Sequence, residues 1–305
     1  MTGAVLPLRA SGAGAPAHLQ RPVTVAELRA ALTAARRGDF AAAAWGEHTP
    51  GVGSRIAWPA TAGQDRGCPA VAVLAGHAGA GASTVALAVA DAAATAGIRV
   101  TLADCAEPGR SGLAAVTTAE LGVDASGWRL GRRGAVQVDR LADRIGAIED
   151  IPTPRVDPVG PTGVGRLLVV DIGWPAGTAL TAGGWVTELL AGELVVVCRA
   201  SVPGVRQTEQ LIAELPRPPL VAVIGPTRWP GVVTASCGPG LRAAKAADRM
   251  VCLPVAGPLE VTGLTADPLP KSLAAAGREL AELIGSRTPQ RTADDIEQEK
   301  APHGD

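Results

Sequence analysis

The apolar positions of this chain follow two periods. From residue 69 onward, short continuous apolar runs alternate with segments whose apolar positions recur at helical spacing. The runs are AVAVLAG (70–76), IRVTLAD (98–104), RLLVVDIG (166–173), ELVVVCR (193–199), PLVAVIG (219–225) and RMVCLPV (249–255). Runs of this length without polar alternation predict strands covered on both faces, as in parallel sheets. Between them the spacing predicts a helix over 83–96 stopped at Gly97, a helix capped by Ser201 with Pro203 in its first turn, and a helix over 272–284. The second puts Val205, Thr208, Leu211, Ile212 and Leu215 on one stripe, and the third turns Leu273, Ala276, Leu280, Leu283 and Ile284 inward. This alternation predicts an α/β fold: a doubly wound, mostly parallel sheet with helices on both faces.

Other segments lack that rhythm. Residues 1–22 are rich in Ala, Gly and Pro and read as a flexible tail. Within 23–67, Thr24 and Glu27 form a capping box for a helix with Val25, Leu28 and Leu32 on one face, and the turn-rich 45–67 reads as a linker carrying Trp45 and Trp58. The domain proper is expected over 68–286, interrupted between its second and third strands by an insert at about 105–165, with a disordered polar tail over 287–305.

Composition narrows the class. With 305 residues, 47% hydrophobic and 19% charged, the chain can bury a sizeable core, and its net charge of -1 gives no global field for nucleic acid or membrane. Arg outnumbers Lys 25 to 3, the bias of a high-GC bacterial genome. The five cysteines, Cys68, Cys105, Cys198, Cys237 and Cys252, are widely spaced with no C-x-x-C, which reads as reduced thiols in a cytoplasmic protein without a zinc site. The first residues show no apolar core of a secretory signal, and no apolar stretch is long enough to span a membrane.

The chemistry concentrates after the first strand, in Gly76-His77-Ala78-Gly79-Ala80-Gly81-Ala82-Ser83-Thr84. This follows the phosphate-loop pattern G-x-x-x-x-G-K-[ST], in which glycines let backbone N–H groups wrap a phosphate at a helix N-terminus and the hydroxyl sits on Mg²⁺. The lysine position holds Ala82. The glycines, the Ser-Thr helix start and the later LLVVD ending in Asp171 together mark phosphate-loop ancestry.

The stretch GHAGAGASTVALAVADAAATAGIRVTLAD resembles the ParA/MinD family of P-loop ATPases, and its GAGAST form is similar to the CpaE/TadZ-like and septum-site-determining branch, where the lysine is often missing. The resemblance covers roughly 68–286. It implies nucleotide binding at Gly76, His77, Gly79, Gly81, Ala82, Ser83 and Thr84, Mg²⁺ at Ser83 and Asp171, and Asp104 and Asp171 as candidate catalytic acids. It also implies losses. The family's first loop lysine falls on His77 and its second on Ala82; the second acid of its D-x-D falls on Ala106, with Glu107 shifted by one; the Asn that contacts adenine falls near Gly225. A charge-assisted hydrogen bond contributes about 1.5–3 kcal/mol, and about 1.4 kcal/mol is tenfold in affinity, so losing two lysines and a base contact leaves ATP and Mg²⁺ weakly held at best. Catalysis suffers more, because phosphoryl transfer depends on charge stabilisation. Arg206, Arg228 and Lys271 are candidate substitute cations.

The expectation is therefore a degenerate ParA/MinD-like protein with weak or absent ATP hydrolysis. It would act as a scaffold or localisation factor for a bacterial surface machinery (pilus, secretion, conjugation or septum placement) and be recruited to membrane-associated machinery. The alternative is an active ParA-like ATPase with a rebuilt site, serving DNA partition or conjugative transfer. Protein partners are expected, as is a homodimer formed without nucleotide through apolar surface around Trp174 and Trp185. Arg129, Arg132, Arg133, Arg140 and Arg144 with Trp128 read as a solvated face or, alternatively, a partner patch. Trp229 reads as packing.

Overall fold

The structure, a computed structural model, describes residues 68–155 and 165–287. The helix expected after Thr24, the linker with Trp45 and Trp58, the tip of the 152–165 loop and the C-terminal tail lie largely outside the described residues.

Nine strands form one sheet in the order β3-β4-β5-β2-β6-β1-β7-β8-β9. The expected strands are β1 (Ala70–Ala75), β2 (Arg99–Asp104), β6 (Arg166–Asp171), β7 (Glu193–Arg199), β8 (Leu220–Ile224) and β9 (Met250–Leu253), and all pair in parallel. The segment expected as an insert extends the sheet. It supplies β3 (Ala119–Val123), β4 (Trp128–Arg133) and β5 (Val136–Leu141), with β5 parallel to β2 and β4 antiparallel to both its neighbours. The β3–β4 turn is set by Asp124, whose carboxylate accepts from the N–H groups of Ser126 and Trp128, and by Gly127 at φ 91°.

Helices cover both faces. On one, α1 (Ala82–Thr95) lies on the sheet and under α8 (Lys271–Arg287). The alanine-rich sequence of α1 lets both neighbours approach; a Cβ at Gly277 of α8 would stand 2.6 Å from the Ala88 carbonyl oxygen. On the other face lie α2 (Ala176–Thr181), α3 (Gly184–Leu190), α4 (Val202–Glu214), α5 (Gly231–Ala235) and α6 (Pro239–Ala246). A final short helix, α7 (Gly257–Thr262), follows β9 and buries none of its residues. Ser201 caps α4 by accepting the Gly204 N–H, as the sequence predicts. α8 runs through Arg287, one residue past the expected end of the domain. Among the described residues no helix is long and apolar enough to cross a membrane.

Two surface expectations are corrected. Trp128 is buried, as are Arg133 and Arg140, so the arginine cluster is not one solvated face or patch. Arg133 instead bonds Asp91 on α1 and the carbonyls of Val116, Thr265 and Asp267. Trp185 belongs to the core beneath α3, its indole N–H donated to the Ile151 carbonyl, and so gives no docking surface.

Candidate functional site

The glycine loop leaves β1 at the C-terminal edge of the sheet, near its centre, where β1 is flanked by β6 and β7. In doubly wound sheets this edge is where ligands bind. The loop is closely seated. A Cβ at Gly76 would lie 2.3 Å from Thr208 Oγ1 and 2.9 Å from the Val197 oxygen. Gly81 sits at φ 96° against Ile224 Cδ1, only 2.4 Å from where its Cβ would be. Both positions therefore require glycine, for space at the first and for backbone conformation as well at the second. Gly79, at φ 72°, has open space around it.

Gly81 is the N-cap of α1, with no side chain capping the helix and no acid in its first turn. The N–H groups of Ala82, Ser83 and Thr84 have no acceptor within the helix, and the positive end of its dipole lies at the loop. Ala82, where the second lysine would stand, is 8% exposed and belongs to the apolar core on the α1 face.

His77 is committed to the protein. Its Nε2 accepts the Arg199 N–H at 3.1 Å, which assigns the ring proton to Nδ1, facing the Ala78 carbonyl at 2.9 Å. The ring also presses on Gly204, where a Cβ would stand 2.8 Å from Nε2. The imidazole is thus a strut between the loop and the β7–α4 turn.

Asp104 and Asp171 end neighbouring strands as register partners, and Arg140 of β5 is the register partner of Asp104 on its other side. All three follow core residues of the α1 face by strand alternation, so they line the edge beneath the start of α1. Asp104 is fully buried; its oxygens accept from the Ala106 N–H and the Ser111 hydroxyl. Burial raises its pKa, against the pull of those hydrogen bonds and of Arg140. Arg140 itself donates to the Ala114 carbonyl and Glu120.

Asp171 is 1% exposed, and burial, with the Asp104 charge, pushes its pKa up to about 7. Ser83 and the Gly173 N–H face the carboxylate and favour its charged form, but neither reaches hydrogen-bonding geometry, so both oxygens lack a partner. A buried carboxylate without a donor, beside a hydroxyl, fits a hard cation such as Mg²⁺, which takes oxygen ligands. Among the described residues there is no cluster of three or more His, Cys, Asp or Glu side chains fit for a metal.

Two loops close over these acids. Ser111, bonded to Asp104, also accepts the Leu113 N–H, and between them Gly112 lies over Ser83, whose Oγ is 2.5 Å from where a Gly112 Cβ would be. Gly173, at φ 64°, presses on Ala106, and Trp174 donates its indole N–H to the Cys105 carbonyl at 2.8 Å. Cys105 is buried beneath, its thiol pushed well up by burial and by both acids.

The structure thus brings together the loop, Ser83, Asp104 and Asp171. Ala106 is buried on Gly173 and offers no acid, while Glu107 begins a turn closed by the Arg110 N–H. Gly225 has no room for an asparagine: a Cβ there would lie 2.4 Å from Ala200 Cβ. Arg206, Arg228 and Lys271 are exposed and make no described contact with the loop. Sequence reasoning missed Ser111, Gly112, Gly204 and Arg199; only for Arg199, a charge ending an apolar strand run, did the pattern hold any signal.

No family model matches the chain, and no curated protein does. Among solved structures it is similar to the MinC:MinD cell division protein complex of Aquifex aeolicus at 16% identity, over 74% of this chain and 99% of that one, with a TM-score of 0.47. It is also similar to a ParA family ATPase from Chlorobium tepidum TLS (14% identity, 70% and 98% covered, TM-score 0.44). A third is a plasmid partition protein from Borrelia burgdorferi (10% identity, 72% and 99% covered, TM-score 0.43).

Proposed function

We propose that this chain is a degenerate P-loop protein of the ParA/MinD kind that holds nucleotide weakly and does not turn it over. It serves as a scaffold or localisation factor in a bacterial surface machinery such as pilus, secretion, conjugation or septum placement. The observation that carries the reading is the state of the two lysine positions: Ala82 is buried apolar surface, and the His77 ring is spent on the Arg199 N–H. The loop keeps its backbone donors but neither cation. The closed Gly225 position supports the same reading, since an asparagine side chain has no room there. Bound Mg²⁺ would neutralise phosphate charge; Ser83 and Asp171 are the residues to hold it, and Asp104, bonded to Ser111, holds the covering segment in place.

A second reading, an active ATPase with a rebuilt site in DNA partition or conjugative transfer, has one observation in its favour: both edge acids are retained and buried beside the loop. Phosphate release from ATP and Mg²⁺ by the purified full chain separates the two. The scaffold reading expects no release above buffer. Steady release that Asp171→Asn abolishes would overturn it.

A further inference from the structure

Arg199 ends β7, and its backbone N–H holds His77 at the start of the loop. Its register partner on β8 is Ile224, the residue whose side chain meets Gly81 at the loop's end. Partners in a parallel pair point to the same face, and Ile224 belongs to the core on the α1 face, as does Val197 two residues before Arg199. The Arg199 side chain therefore rises on the face that carries α1, one strand from β1, at the edge that carries the glycine loop. Along this edge the charges are ordered: Arg140, Asp104 and Asp171 on one side of β1, Arg199 on the other. The guanidinium is 39% exposed and its described partner is Glu260, at 3.0 Å. Glu260 stands on α7, the short helix with no fully buried residue.

We infer that Arg199 supplies the cation that the loop lacks, pairing with a polyphosphate seated at the N-terminus of α1 and leaving Glu260 to do so. The inference rests on the phosphate-loop reading above and deepens it. Three observations carry it. The loop's N–H donors and the uncapped start of α1 present a positive end at this edge. The unpartnered Asp171 carboxylate beside Ser83 marks the same place as built for a cation-bearing ligand. Arg199 is the basic residue whose backbone N–H holds His77 and whose register partner Ile224 meets Gly81, and its pair with Glu260 is solvent-exposed and so costs little to break. A guanidinium also suits phosphate better than a lysine would, since it offers paired donors in a fixed plane.

The test measures binding of two probes, ATP with Mg²⁺ and inorganic tripolyphosphate with Mg²⁺, by titration calorimetry on the full chain. Wild type, Arg199→Ala and Glu260→Gln are compared, with thermal melting to confirm that each is folded. The expected result is weak wild-type binding of both probes, about ten- to hundredfold weaker binding of both in Arg199→Ala, and tighter binding in Glu260→Gln, where the competing carboxylate is gone. Equal affinity in wild type and Arg199→Ala overturns the inference and leaves the scaffold reading whole; a folded wild type that binds neither probe overturns the inference together with the weak nucleotide binding of that reading, and leaves only its scaffold role. A loss confined to ATP also overturns it, by moving Arg199 away from phosphate. Rapid ATP turnover by the wild type would sink the scaffold reading whatever Arg199 does.

Discussion

Asp104 and Asp171 stand side by side as the last residues of two parallel strands, both buried, one held by Ser111 and the Ala106 amide and the other without a hydrogen-bond donor. The arrangement makes stability depend on pH. The Asp171 pKa rises from an ordinary 3.8 to about 7 in the folded chain, so between those values the folded state keeps a proton that the unfolded state has released. Stability then falls as pH climbs through that window, because the native state binds more protons there. Asp171→Asn, uncharged throughout, should be more stable than wild type at pH 8 and close to it at pH 4, in urea melts run with EDTA. Equal midpoints at pH 8 would show that the Asp171 charge is compensated.

Gly81→Ala should destabilise by about 2 kcal/mol or more, since it forces a side chain into a left-handed backbone and into Ile224. Gly79→Ala meets open space and carries only the backbone strain, so it should cost about half as much. Denaturant midpoints of the two variants test the ranking.

Arg133→Ala removes the donor to Asp91 and to three carbonyls, on Val116, Thr265 and Asp267. Breaking a buried pair from one side costs about 3–5 kcal/mol. A fall in the urea midpoint of that size is expected; a change within about 0.5 kcal/mol would make this network dispensable.

The arginines also explain what the sequence hid. Six of the nine strands were legible as continuous apolar runs, and α1, α4 and α8 as helical spacing. The β4–β5 hairpin was not, because Arg133, Asp139 and Arg140 sit at buried positions, and polar residues there erase the period. β3 is exposed along its whole length and has no apolar pattern to read. In the site, the loop, Ser83, Asp104 and Asp171 were legible because they follow strands directly. The roles of His77 and Arg199 were not, since the bond joining them spans 122 residues.

Ala82→Lys should tighten MgATP binding by about tenfold. Recovery stays partial because His77 remains a strut and Gly225 remains closed. The lysine must reach out from a position 8% exposed, so a melting temperature a few degrees lower is expected alongside. Unchanged affinity in the folded variant would mean that the loop backbone does not cradle phosphate.

We propose that assembly of this protein does not run on nucleotide, because the His77 ring in the loop is bonded to the Arg199 N–H of its own chain. Light scattering of the purified full chain, with and without ATP and Mg²⁺, measures this directly. The same mass is expected in both conditions. A monomer that becomes a dimer only when ATP and Mg²⁺ are added would contradict it.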